Sequence, residues 1–299
     1  VIAHRGASGL LPEHTLAGYA LAIEQGADVI EPDLVASADG ILYARHDLGL
    51  ARSTDIAARP EFAGRRRRGV DGSDDWWIED LHSAEVDALR AIQPWAARPH
   101  HRDGVFRVPR FLDVLALLSM ERGRRERPLL VYPELKHPAH FMKLGIDLVE
   151  LLVGDLAIAG MAGPDAPVLV QCFDRDCLDR VRARTGLRVV QLSIDLPDLG
   201  GSPVDGYGIS RQALMAPGSA AWVNAAHQLG RLVHAWTFRD DQPQAGQSPV
   251  DECAGAFALG CDGLFCDFPA TGLAARAAAL SSLQGRAPGG GEILREVST

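Results

Sequence analysis

Glu31 and Asp33 stand two residues apart in the apolar run DVIEPDL, so a strand there turns both carboxylates to one face. Two acids on one face repel each other unless a cation joins them. Glu134, at the same end of a second apolar run, LLVYPEL, adds a third hard oxygen donor of the kind Mg²⁺ or Ca²⁺ prefers. Lys136 follows two residues later on the same face. His4 and Arg5 end a third run, VIAH, and lead into GASG, a turn whose freed amides, together with the guanidinium, could hold a phosphate. His46, in ARHD, brings a second imidazole from another part of the chain. Taken singly each has an ordinary alternative: a solvated strand end for the acids, a surface or satisfied core position for either histidine. Gathered at one rim, they are what general acid–base chemistry on a phosphodiester at a divalent cation requires.

A rim needs strands to carry it. Short β-rich runs at 1–3, 28–34, 129–135, 168–173, 188–193, 206–210, 231–237 and 263–266 alternate with helical patterns at 14–26, 110–120, 138–153, 174–184, 217–229, 249–259 and 269–282. Eight strands with intervening helices predict an α/β fold with a parallel sheet, closed as a TIM (β/α)8 barrel in preference to an open doubly wound sheet. Pro32, between the two acids, removes a strand amide and perturbs the ladder at that point. After the second strand, the turn ASADG and the returning segment ILYARH predict a hairpin on the rim. Residues 47–108 show no clean βα unit and are rich in Arg, Asp and Trp, so they read as an ordered insertion capping the barrel mouth. The expected organisation is one domain over 1–281 and a flexible tail over 282–299, which contains GRAPGGG.

Composition narrows the partners. A chain of 299 residues, 47% hydrophobic and 23% charged, is long enough for one large core. Its net charge of −9 argues against nucleic acid, whose binding rests on clustered Lys and Arg. The basic run Arg65–Arg68 lies between glycines and reads as a solvated loop without a function. Five cysteines, with no CxxC pair, indicate neither a disulfide framework nor a zinc ribbon; a Cys261–Cys266 bridge stays open, with buried free thiols expected. No apolar run reaches the roughly 18 residues of a membrane span, and a soluble protein is expected. The chain opens at Val1 already in a strand pattern, so a preceding segment is expected.

The sequence VIAHRGASGLLPEHT resembles the opening of the glycerophosphodiester phosphodiesterase family, and EPDL, ARHD, YPELK, VQCFD, VHAWT and GLFCDFP follow in that family's order, over residues 1 to about 279. The variants PEHT, YPELK and QCFD look most like the bacterial periplasmic group. The resemblance implies a TIM barrel with an insertion after the second strand, metal ligands at Glu31, Asp33 and Glu134, catalytic histidines at His4 and His46, and phosphate contacts from Arg5 and Lys136. Glu13, in LLPEHT, matches a family acid expected to support the ligands or join them, with a helix-capping carboxylate as the alternative. Phe173 and Trp236, at strand ends, are candidates for an apolar wall against the glycerol backbone, or for core packing. The implied reaction is metal-dependent hydrolysis of glycerophosphodiesters, with Ca²⁺ or Mg²⁺, to glycerol 3-phosphate and an alcohol. The group implies a periplasmic or secreted location. Two other readings are phospholipase D-type hydrolysis of lysophospholipids on the same barrel and non-catalytic capture of glycerophosphodiesters.

Overall fold

The computed structural model describes residues 1–69, 72–201 and 203–284. All eight expected strands form: Ile2–His4, Val29–Glu31 continued by Asp33–Ala36, Leu130–Val131 continued by Glu134–Leu135, Leu169–Cys172, Arg188–Ser193, Gly206–Ser210, Leu232–Phe238 and Gly263–Cys266. Their pairing is parallel throughout and returns to its start, with Ile2 opposite Phe265 on one side and Val29 on the other. That closure makes the sheet a barrel. Tyr132, Phe265, Ile2, Leu169 and Val190 form one buried cluster, while a larger one joins the strands to the helices.

The second and third strands are both broken by proline. Pro32 and Pro133 have no amide to donate, but their carbonyls still accept from the Glu134 and Gln171 amides, each at 2.9 Å. The ladder therefore resumes above each break, pairing Asp33 with Glu134 and Glu134 with Gln171.

The rim hairpin forms as expected, with Leu42–Ala44 antiparallel to Asp33–Ala36. One expected helix is two: Pro138–Lys143 and Leu148–Ile158 are separated at Gly145, whose φ of +79° ends the first, and Asp147 caps the second through the amides of Val149 and Glu150. The insertion contains a short helix, Ser83–Ala88, and three 3-10 turns, packed on a core that includes Leu50, Ile56, Trp76, Trp77 and Leu81. The Arg65–Arg68 run departs from expectation. It is largely exposed, but Arg67–Arg68 pairs with Asp74–Asp75, Arg67 bonds Asp80 at 2.5 Å, and Arg65 pairs with Glu85. Arg65 and Arg67 hold the insertion's own acids, while Arg66 and Arg68 donate to main-chain carbonyls.

The last helix, Pro269–Gln284, extends past the expected start of the tail at 282; residues 285–299 lie outside the described residues. All five cysteines are free and buried. No helix among the described residues is long and apolar enough to cross a membrane.

His234 sits inside the barrel, its Nδ1 3.0 Å from the Tyr132 hydroxyl, and burial pushes its pKa down to about 4. The unfolded chain, with an ordinary imidazole near 6.5, then binds the proton more tightly than the fold does. This contribution to stability is complete above about pH 6.5 and is lost as pH falls toward about 4. His234→Gln cannot titrate there. Its unfolding free energy, from urea titrations, should decline less steeply over that range, the wild-type deficit reaching up to about 3 kcal/mol. Equal slopes would refute the role of this buried imidazole.

Candidate active site

The C-terminal ends of the first four strands bring the expected residues together. Register sets His4 beside Glu31, and Asp33, Glu134 and Gln171 side by side. Arg5 turns the chain sharply off the first strand at φ +58°, a conformation few non-glycine residues adopt, and its amide is bonded to both the carbonyl and the Oε2 of Glu31. Gly6 follows at φ +84°, where a Cβ would lie 2.7 Å from the Gly18 carbonyl carbon.

Glu31, Asp33 and Glu134 are buried, and each offers an oxygen within 4.8 Å of the others. Burial, then the charges of Asp33 and Glu134, raise the pKa of Glu31 well above the carboxylate range; burial and Asp33 push Glu134 up to about 8. Asp33 is held well below its usual value because Lys136, Arg5 and other positive groups outweigh burial. The donor set fits a hard divalent cation, which would relieve this repulsion. Among the described residues the buried Gln171 Oε1 has no partner, while its Nε2 donates to Glu31 Oε1 at 3.0 Å, so a further oxygen stands beside the cluster.

Arg5 and Lys136 face the acids. Arg5 Nη1 donates to Glu13 at 3.0 Å and its Nε lies 3.2 Å from Asp33; Lys136 Nζ donates to Glu134 at 2.8 Å. Glu13 is thus a partner of Arg5 outside the three-carboxylate cluster, and the next helix is capped by Thr15 instead. His14, in the same PEHT segment, bridges the Tyr19 hydroxyl at 2.8 Å and Asp33 Oδ2 at 3.0 Å.

Each candidate histidine rests Nδ1 on a carboxylate: His4 on Asp267 at 2.6 Å, His46 on Asp47 at 2.5 Å. An aspartate acceptor fixes the proton on Nδ1 and leaves Nε2 available. Burial, then Arg5, lowers the pKa of His4 to about 4, so its ring is neutral near pH 7. Asp267 also receives Arg98 at 2.6 Å and Arg239 at 3.1 Å, and these cations with His4 keep it ionised in spite of burial.

The two histidines, Glu31, Glu134, Arg5 and Lys136 line a cavity of about 340 Å³, within the range of small-molecule sites. Phe173 and Trp236 form part of its wall, edge to face at 5.9 Å, and Phe173 is 46% exposed, which removes the core-packing reading for that ring. Sequence reasoning had missed Asp267, Gln171, Arg52, Trp95 and Arg98, and assigned Arg239 no role. A polar residue inside VLVQCF and an acid directly after GLFC were available signals for Gln171 and Asp267. Arg52, Trp95 and Arg98 come from the insertion, where no periodicity marks them.

Comparison with known proteins gives the chain's family and relatives of its fold. The family model described as the Glycerophosphoryl diester phosphodiesterase family matches residues 4–271. A glycerophosphodiester phosphodiesterase of Arabidopsis thaliana is 36% identical over 140 residues, 46% of this chain and 37% of that protein; one from Haemophilus influenzae is 30% identical over 207 residues, 66% of this chain and 54% of that protein. The chain therefore spans about a third to a half of the length of these curated relatives. Among solved structures, an Oleispira antarctica phosphodiesterase in complex with the product sn-glycerol-3-phosphate superposes with a TM-score of 0.71 at 22% identity, covering 92% of this chain and 96% of that one. A glycerophosphodiester phosphodiesterase from Agrobacterium tumefaciens gives 0.59 at 22% identity, covering 91% and 98%. The TIM barrel is shared with these neighbours, and the match over nearly its whole length makes the chain a member of the glycerophosphoryl diester phosphodiesterase family.

Proposed function

We propose that this chain hydrolyses glycerophosphodiesters to sn-glycerol 3-phosphate and an alcohol, with His4 and His46 as proton carriers beside a divalent cation held by Glu31, Asp33 and Glu134. The observation that carries the reading is the pair of carboxylate-anchored imidazoles lining one cavity with the buried acid cluster. The product found in the Oleispira antarctica relative supports the same reading.

Glu31, Asp33 and Glu134 would hold Ca²⁺ or Mg²⁺, which would supply charge neutralisation for the phosphate. Arg5 and Lys136 offer N–H donors to the remaining phosphate oxygens. His4, held neutral and with Nδ1–H directed to Asp267, accepts the nucleophile's proton at Nε2. The nucleophile is water, or the neighbouring glycerol hydroxyl followed by hydrolysis of a cyclic phosphate. As the new P–O bond forms, the P–O bond to the second alcohol breaks, and His46, entering the step as the imidazolium with Nδ1–H on Asp47, gives its Nε2 proton to the departing alkoxide. Phe173 and Trp236 keep water from one wall of the cavity.

Purified protein should release glycerol 3-phosphate from glycerophosphoglycerol, lose that activity in EDTA and regain it with Ca²⁺ or Mg²⁺; release that persists in EDTA would refute the cation's part. His4→Ala and His46→Ala should each lose about 100-fold or more in kcat while keeping the wild-type melting temperature within a few degrees. Near-wild-type turnover in both would sink the assignment. Asp267→Asn should lower kcat by about 10- to 100-fold, with a smaller effect on KM, because it weakens the hold on the His4 ring and tautomer. An unchanged kcat would show that His4 does not depend on it.

A further inference from the structure

The outer part of the cavity carries cations that phosphate binding at the acid cluster leaves unused. Arg52, from the insertion, and Arg239, just past the seventh strand, both line it. The carboxylates that balance them, Asp47 and Asp267, do not. Each of those acids is also shared: Asp47 receives His46 at 2.5 Å and Arg52 at 3.4 Å, while Asp267 receives His4, Arg98 and Arg239. Arg239 reaches Asp267 only through Nε, so among the described residues its two terminal nitrogens have no carboxylate partner.

The aromatic surface there is already engaged. The guanidinium carbons of Arg98, Arg52 and Arg239 lie 5.0, 5.1 and 5.5 Å from the centroid of the Trp95 ring. An indole so placed has its attraction for cations taken up by the protein itself. Among the described residues the only acids lining the cavity are Glu31 and Glu134, which belong to the three-carboxylate cluster. An ammonium group in the outer cavity would meet two guanidiniums and no free carboxylate; an anion would meet unused donors.

We propose, resting on the phosphodiesterase reading above, that this cavity selects diesters whose departing alcohol carries an anionic group, a carboxylate or a second phosphate, held by Arg52 and Arg239. A quaternary ammonium head group is disfavoured by the same residues.

Glycerophosphoserine and glycerophosphoethanolamine differ by one carboxylate and make the test. With metal-loaded protein, kcat/KM for glycerol 3-phosphate release should be about 10- to 100-fold higher for the serine ester, and glycerophosphocholine should be the poorest of the three. The ratio should shrink with added salt, since the Arg52 side chain is 45% exposed. In Arg52→Gln and Arg239→Gln the ratio within each variant should fall toward one, whatever happens to the absolute rates. A wild-type ratio of one or below overturns the proposal, as does an unchanged ratio in both variants. Release from none of the three esters overturns this inference, and release from none of them nor from glycerophosphoglycerol overturns the phosphodiesterase reading itself.

Discussion

Like charges about 4 Å apart repel by about 4 kcal/mol at the effective dielectric of a protein site, and Glu31, Asp33 and Glu134 are buried at about that spacing. Much of the upper barrel answers this repulsion. Arg5 enters the left-handed region and lays both its amide and its guanidinium against the cluster, Lys136 shares the face of Glu134, and Gln171 donates to Glu31. Even so, the proton affinities of Glu31 and Glu134 stay raised. The site is built around a charge that the protein's own side chains do not fully supply, which is the electrostatic condition for taking up a divalent cation.

A second centre of charge lies at the end of the last strand. Asp267 orients His4 and draws in one arginine from the insertion and another from the end of the seventh strand. Burial would favour its neutral form, but three positive or protonatable partners reverse that. The same carboxylate thus holds the His4 imidazole and an insertion arginine, so the orientation of that ring and the position of the insertion are coupled through one side chain.

The barrel was legible because short β-rich runs recur eight times between helical patterns, and all eight strands formed close to where the runs lie. The residues gathered at the strand ends were legible for the same reason: strand alternation fixes the faces of Glu31, Asp33, Glu134 and Lys136 once the strands are known. Pro32 was read as a local disturbance; its neighbour Pro133 makes it a matched pair of breaks, a relation visible only once the register is known. Arg98 was illegible because its contacts with Asp241 and Asp267, at sequence separations of 143 and 169, leave no local pattern. The helix split at Gly145 had a local signal, a glycine two residues before a capping aspartate, that continuous apolar spacing obscured.

The attachment of Arg98 has a consequence for how such barrels exchange their loops. Arg98 is buried against Asp267 and Asp241, and Gln93 beside it donates to the carbonyls of Ser8 and Leu11 in the loop after the first strand. Recombination that replaced residues 47–108 with an unrelated segment would leave Asp267 short of a cation and free to pull Arg239 or His4 out of place. A transplanted cap therefore has to arrive with a positive charge at one particular height. The insertion is held at the rim by that electrostatic match together with the bonds from Gln93 to the first loop, from Ser83 to Asp39 and from Tyr43 to Asp87, so its sequence can drift only between those anchors.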